Sequence, residues 1–291
     1  MRMSDYGTGR KTYVRELDTV NPSSDAMATV CITNDIIEVK VYERGFHKDI
    51  GRFRKIDKTR YLDVETGEIV RFQSKTGRGG ISSSDRYNWN RAFERLRRII
   101  NYNFTGSSNE LHIILTYGGN LHMTDRGIVS NDFKNFWKRI KYHYGSMEYI
   151  VMYEPDCKGR WHIHVLVKNK NIDTLFIDNR SIQDIWSHGF TKVRHTTGND
   201  NIGAYFTVLL GSGKGRKASR IQYYQKYKKL YTKSRGILIP PLYRMTYNEV
   251  EKLVSGHNKV YEKGYSVLLE NENVEVNRIY IMQYNDRRNG K

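Results

Sequence analysis

Glu148-Tyr149-Ile150-Val151-Met152-Tyr153-Glu154-Pro155-Asp156-Cys157-Lys158-Gly159-Arg160-Trp161-His162-Ile163-His164-Val165-Leu166-Val167-Lys168 is the stretch from which the fold is read. Two β-rich runs, Glu148 to Glu154 and Arg160 to Lys168, flank Pro155-Asp156-Cys157-Lys158-Gly159, whose Pro, Asp and Gly are turn formers, so a hairpin is the economical reading. His162 and His164 stand two apart on the second strand, and the pleat points both imidazoles to one face at a separation suited to a single metal ion. If Glu154 and His162 face each other across the turn, then Met152, Glu154, His162 and His164 share that face, because the loop from Pro155 to Trp161 has an odd number of residues. Glu154 is then expected to be the third metal ligand, and its removal to cost metal affinity more than folding. The rival readings are a Glu154 that caps the turn in solvent and histidines that only pack.

Working outward, Leu111, Ile113 and Leu115 alternate with His112, Ile114 and Thr116, which predicts a strand from Leu111 to Tyr117 ending at Gly118-Gly119-Asn120. Phe133, Phe136, Trp137 and Ile140 then recur at helical spacing behind the capping candidate Asn131. Beyond the hairpin, a helix is expected from about Asn201 to Leu210, capped by Asn199 or Asp200 and ended by Gly211. Ile202, Phe206 and Leu209 form its apolar stripe, and Tyr205 sits at the stripe's border, where a phenol can reach a cleft.

Upstream, residues 1–105 read as a basic module with short β runs, Ala28 to Ile32 and Ile36 to Tyr42. It ends in an amphipathic helix capped by Ser84 or Asp85 and carrying Trp89, Phe93, Leu96 and Ile100 on one stripe. Residues 106–236 form the domain with the chemistry. Residues 237–291 form a C-terminal segment with a helix after Thr246 and β runs from Tyr265 to Leu269 and Arg278 to Gln283. The expected class is α+β, with a central, mainly antiparallel sheet and helices on its faces.

Composition restricts the partner. With 49 Lys and Arg against 31 Asp and Glu the formal charge is +18, and 22 tyrosines interleave with the basic residues. Such a chain gains affinity for nucleic acid by counterion release and offers platforms for unstacked bases. The basic residues are spread along the chain rather than clustered beside an apolar anchor, which argues against a membrane-surface role. Cys31 and Cys157 lack CxxC spacing, consistent with a reducing cytoplasm, and no run of about 18 apolar residues occurs.

In order and spacing, these segments resemble the HUH endonuclease superfamily, specifically the replication initiators of Gram-positive plasmids, integrative elements and phages. His162-Ile163-His164 is similar to the family's histidine motif, Ile113-Ile114-Leu115-Thr116-Tyr117 to its first strand motif, and Asn201-Ile202-Gly203-Ala204-Tyr205 to its tyrosine motif. Supporting matches are Ile185-Trp186-Ser187-His188-Gly189-Phe190 and the segment from Lys229 to Ile237, with a weaker one from Arg91 to Arg97. The resemblance implies an endonuclease in which Tyr205 attacks single-stranded origin DNA, aided by Mn2+ or Mg2+ on His162 and His164, with Glu154 added by the strand parity above, leaving a 5′-phosphotyrosyl link and a free 3′ hydroxyl. It implies a host helicase and polymerase as partners. The Gly211-Ser212-Gly213-Lys214 segment lacks the spacing of a nucleotide-binding loop. Many relatives carry a lysine one turn after the tyrosine, whereas Val208 and Leu209 stand here. Lys192 and Lys214 are candidate substitutes, and Thr116, Arg216 and Lys217 are further candidate DNA contacts. A conjugative relaxase, a single-tyrosine transposase and a non-catalytic nucleic-acid binding protein remain alternatives.

Overall fold

A computed structural model of the chain describes residues 2–3, 12–44, 53–55, 60–63, 69–71, 83–118, 123–208, 220, 223–224, 229–269 and 275–288. In chain order the elements begin with β1 (Arg2–Met3), β2 (Thr12–Leu17), β3 (Met27–Thr33) and β4 (Ile36–Tyr42), then β5 (Phe53–Lys55), β6 (Arg60–Asp63) and β7 (Ile69–Arg71). Next come α1 (Ser83–Asn103), β8 (Glu110–Leu115), α2 (Arg126–Tyr144), β9 (Glu148–Pro155), β10 (Trp161–Lys168), α3 (Asn179–Trp186), β11 (Thr191–His195), α4 (Ile202–Thr207) and β12 (Tyr231–Lys233). The chain closes with β13 (Tyr243–Thr246), α5 (Tyr247–Leu253), β14 (Lys259–Leu269) and β15 (Glu275–Asn285). The fold is α+β with antiparallel sheets, as expected, and is consistent with the HUH endonuclease-like fold. No helix of the described residues is long and apolar enough to cross a membrane.

The chain forms two compact units, Met1–Asp85 with Pro241–Lys291, and Arg86–Pro240. In the first, a seven-stranded sheet runs β1-β2-β14-β15-β4-β3-β13. The C-terminal segment is thus part of one sheet with the N-terminal strands: β14 pairs with β2 and β15 with β4. Single-strand alternation shows that a run is a strand but not which strand it pairs with, and pairing here joins the two ends of the chain. Ala28, Val30, Val39, Val41, Tyr280 and Met282 line one face of this sheet in a core with Val250 of α5. Thr246 caps α5 through a reciprocal pair with Glu249.

The second unit is built on the five-stranded sheet β11-β8-β10-β9-β12, antiparallel throughout. The β9–β10 turn closes because Asp156 accepts hydrogen bonds from the backbone N–H groups of Lys158 (2.8 Å) and Arg160 (2.9 Å), while Gly159 takes a φ of +79° that suits glycine. Its register makes Glu154 the partner of His162 and Met152 that of His164. One face of the sheet is apolar: Leu111, Ile113, Leu115, Val151, Tyr153, Ile163, Val165 and Val167 join the core with Phe133, Phe136 and Ile140 of α2 and Trp186 of α3. The stripe foreseen on α1 is inward, with Phe93, Leu96 and Ile100 buried.

Three helix starts differ from expectation. Asp125, not Asn131, caps α2, accepting from the N–H groups of Gly127 and Ile128. The helix starts more than a turn earlier because Val129 extends its buried stripe. Asn201, not Asn199 or Asp200, caps α4 by accepting from Ala204 N–H at 2.9 Å. Ser84 and Asp85 lie within the first turn of α1, which begins at Ser83. In each case several polar residues could have supplied the capping oxygen, and tertiary packing selects which does. The expected helix end at Leu210-Gly211, including Leu209 of its stripe, lies outside the described residues, as do Gly119 and Asn120.

Candidate active site

The second face of the five-stranded sheet carries the polar residues. Because His164 pairs with Ile114 and Leu166 with His112, the alternation that aligns Glu154, His162 and His164 also brings His112 of β8 to their face. Across β8, Lys192 and Arg194 of β11 share it through their pairing with Ile114 and His112. Three of these side chains form a chain of contacts. His112 Nε2 lies 3.0 Å from His164 Nδ1, and His164 Nε2 lies 2.6 Å from Glu154 Oε2. The other carboxylate oxygen of Glu154 bonds the guanidinium of Arg220. Glu154, His112 and His164 are all buried.

Burial acts on two of the imidazoles. It pulls the His112 pKa down to about 2, with His164 and Arg194 nearby acting in the same direction, so His112 is neutral under ordinary conditions. Burial also lowers the pKa of His162, against the pull of Glu154 and Asp156. Neutral imidazoles and a carboxylate are donors of the kind that hold a divalent ion. In this structure His164 Nε2–H donates to Glu154, so its Nδ1 accepts from His112 Nε2–H; holding an ion at Nε2 would call for the other tautomer, with Nδ1–H donated to His112. Among the described residues, however, no three His, Cys, Asp or Glu side chains are grouped so as to enclose an ion. Glu154 is instead shared between His164 and Arg220.

Tyr205 is placed by contacts far away in sequence. The N–H of Gly203 donates to Asn101 Oδ1 of α1 at 2.7 Å, and Asn101 Nδ2 donates to the cap oxygen of Asn201 at 3.0 Å. A Cβ at Gly203 would meet the backbone oxygen of Arg97 at 2.4 Å, so glycine lets α4 seat directly on α1. Gly203→Ala is accordingly expected to destabilise the protein by about 1–3 kcal/mol, as overpacking does, in chemical denaturation. Unchanged stability would contradict this seating. The seat buries Phe206, whose ring centroid lies 4.6 Å from that of His112 and 6.3 Å from that of His164. Tyr205, the preceding residue, is 42% exposed.

Three other tyrosines among the described residues are engaged. Tyr117 donates to Asp132 Oδ2 at 2.7 Å, and burial together with that carboxylate raises its pKa. Tyr223 donates to the carbonyl of Cys157 at 2.9 Å. Tyr224 is buried against Trp89, Phe93 and Trp161, which raises its pKa well above the usual phenol value.

Residues 110–210 match the family model for the replication-associated protein ORF2. No match was found among curated proteins or solved structures. The match supports a role as a replication initiator that binds DNA. Its span contains His112, Thr116, Glu154, His162, His164, Lys192 and Tyr205.

Of the expected DNA contacts, Thr116 is half-buried and its hydroxyl donates to the Phe190 carbonyl at 2.8 Å, so it serves the joint between β8 and the segment before β11. Lys192 is exposed on the histidine face of β11. Lys214, Arg216 and Lys217 lie outside the described residues. Sequence reading passed over three residues. His112 was signalled by its even position beside Ile114 in an alternating strand, and Asn101 by polarity on the inward side of a helix. Arg220 had no local signal.

Proposed function

We propose that the protein initiates rolling-circle replication by nicking single-stranded origin DNA in the manner of HUH endonucleases, with Tyr205 as nucleophile and a divalent ion, Mn2+ or Mg2+, held by His162, His164 and Glu154. The observation that carries this reading is the union on one sheet face of the histidine pair, its carboxylate partner and Phe206, the residue next to an exposed Tyr205. Support for the ion comes from the donor set itself: two imidazoles and a carboxylate, with His112 behind His164. When bound, the ion would supply Lewis-acid stabilisation of charge on the phosphate.

The residues of the chain divide the remaining work. α4 holds Tyr205 at the edge of the site through Phe206, Gly203 and the Asn101–Asn201 pair. The phenolate oxygen of Tyr205 forms a bond to phosphorus in line with the 3′ oxygen, whose bond to phosphorus breaks and which leaves to take up a proton. The phosphodiester is thereby exchanged for a 5′-phosphotyrosyl ester, so the strand can be resealed, and the free 3′ hydroxyl can prime a polymerase. Basic residues on the same face, Lys192 and Arg194, neutralise the approaching strand. Strand opening would fall to a host helicase, in the cytoplasm where such elements replicate.

The test is incubation of the full chain with Mn2+ and end-labelled single-stranded oligonucleotides of random sequence. Protein attached covalently to the 5′ phosphate generated by the cut is the expected result. Cleavage without attachment would point to hydrolysis, and binding without cleavage to a non-catalytic nucleic-acid binding protein. Either outcome overturns the proposal. Sequencing the attached DNA would separate an origin nickase from a relaxase or transposase of the same chemistry.

A further inference from the structure

Arg220 is the residue of the site for which the tyrosine-nuclease reading has no role. Its guanidinium pairs with Glu154 Oε1 while His164 occupies Oε2, so each oxygen of the carboxylate already has a partner. The Arg220 side chain is only 20% exposed, and its Nε is enclosed without a hydrogen-bond partner among the described residues. Enclosing a donor that has no acceptor is costly, and a guanidinium presents its donors as a planar fork matched to carboxylate or phosphate oxygens. The nucleophile's own helix supplies no cation: α4 carries neither Lys nor Arg, and Val208, which follows it, is apolar and exposed.

We propose that Arg220 is the fixed cation of this site: it neutralises Glu154 while no divalent ion is bound and, once the ion takes the carboxylate, binds a non-bridging oxygen of the scissile phosphodiester. This rests on the reading of the preceding subsection and adds a substrate-binding residue to it. Arg220 lies beyond the 110–210 span of the family match. A guanidinium and a divalent ion cannot both take full possession of one buried carboxylate, because each would hold the other's charge at close range. Competition therefore links the two, and it separates this role from that of a structural ion pair. Removing a structural partner loosens the site and weakens ion binding, whereas removing a competitor strengthens it.

The experiment measures Mn2+ affinity of the full chain by calorimetry and, separately, single-turnover cleavage of the same oligonucleotide pool at saturating Mn2+. Arg220→Gln is expected to bind Mn2+ about tenfold more tightly than wild type, on the scale of residues that tune metal ligands. Its cleavage is expected to fall roughly 100-fold, on the scale of lost transition-state donors. Unchanged or weakened Mn2+ affinity in a folded Arg220→Gln variant, or cleavage at the wild-type rate, overturns the proposal. Arg220→Lys keeps the charge without the fork and covers the case in which the glutamine variant does not fold. It is expected to bind Mn2+ with near wild-type affinity and to cleave about tenfold more slowly. Full cleavage by this variant also overturns the role. A wild-type chain that neither binds Mn2+ nor forms the covalent adduct overturns the tyrosine-nuclease reading itself, whereas wild-type activity with indifferent variants removes Arg220 alone.

Discussion

Tyr205→Phe is expected to lower strand cleavage by at least about 1,000-fold and to eliminate the covalent protein–DNA adduct, while leaving DNA affinity nearly unchanged. Only the nucleophilic oxygen is removed. The ring remains at the exposed edge of α4, so its 5.3 Å contact with Phe206 and the seat of that helix on α1 are retained. Three other phenols among the described residues are less suited to serve as the nucleophile. Tyr223 and Tyr117 each already donate a hydrogen bond, and Tyr224 is buried with its phenol disfavoured as an anion. Gel analysis of denatured complexes on labelled DNA measures the adduct directly. Full adduct formation by Tyr205→Phe would falsify the assignment of the nucleophile.

The second large effect is expected at Glu154. Glu154→Gln keeps the size of the side chain but not its charge, and should weaken Mn2+ binding by about tenfold or more, raising the ion concentration needed for half-maximal cleavage. Glu154→Ala should do the same and, in addition, destabilise the metal-free protein by about 3 kcal/mol, because it leaves the largely buried guanidinium of Arg220 without its partner. From strand parity alone the removal of Glu154 is expected to spare folding, and the Arg220 ion pair revises that expectation. Thermal melts and metal titrations on both variants separate the two consequences. Equal Mn2+ requirements in wild type and Glu154→Gln would remove Glu154 from the ligand set.

Several parts of this site are legible in the amino-acid sequence, and they are those governed by short-range geometry. Alternation in a pleated hairpin places Glu154, His162 and His164 on one face, and the Pro-Asp-Gly turn leaves little freedom in the register. The period of a helix likewise marks Phe93, Leu96 and Ile100 as inward, and Ile202 with Phe206 as the buried side of the helix that carries Tyr205. The helix caps were less legible. Asn131 and Asp125 are both able to cap, and the structure places the start at Asp125, with Val129 of the first turns buried.

What the sequence by itself determined, then, was the α+β class, the basic character suited to DNA, and the shared face of the hairpin's carboxylate and histidines. Each follows from composition or from periods of two and 3.6 residues, which act between near neighbours along the chain. Only the tertiary structure decided that β8 lies between β10 and β11 and so sets His112 against His164. It also decided that Asn101 and Gly203 seat the tyrosine helix on α1, that Arg220 reaches Glu154, and that β14 and β15 join β2 and β4 in one sheet. These contacts link residues tens to hundreds of positions apart. Their partners are selected by the closure of the whole chain around its cores, where the loss of loop entropy is offset by burial, and no local pattern carries that information.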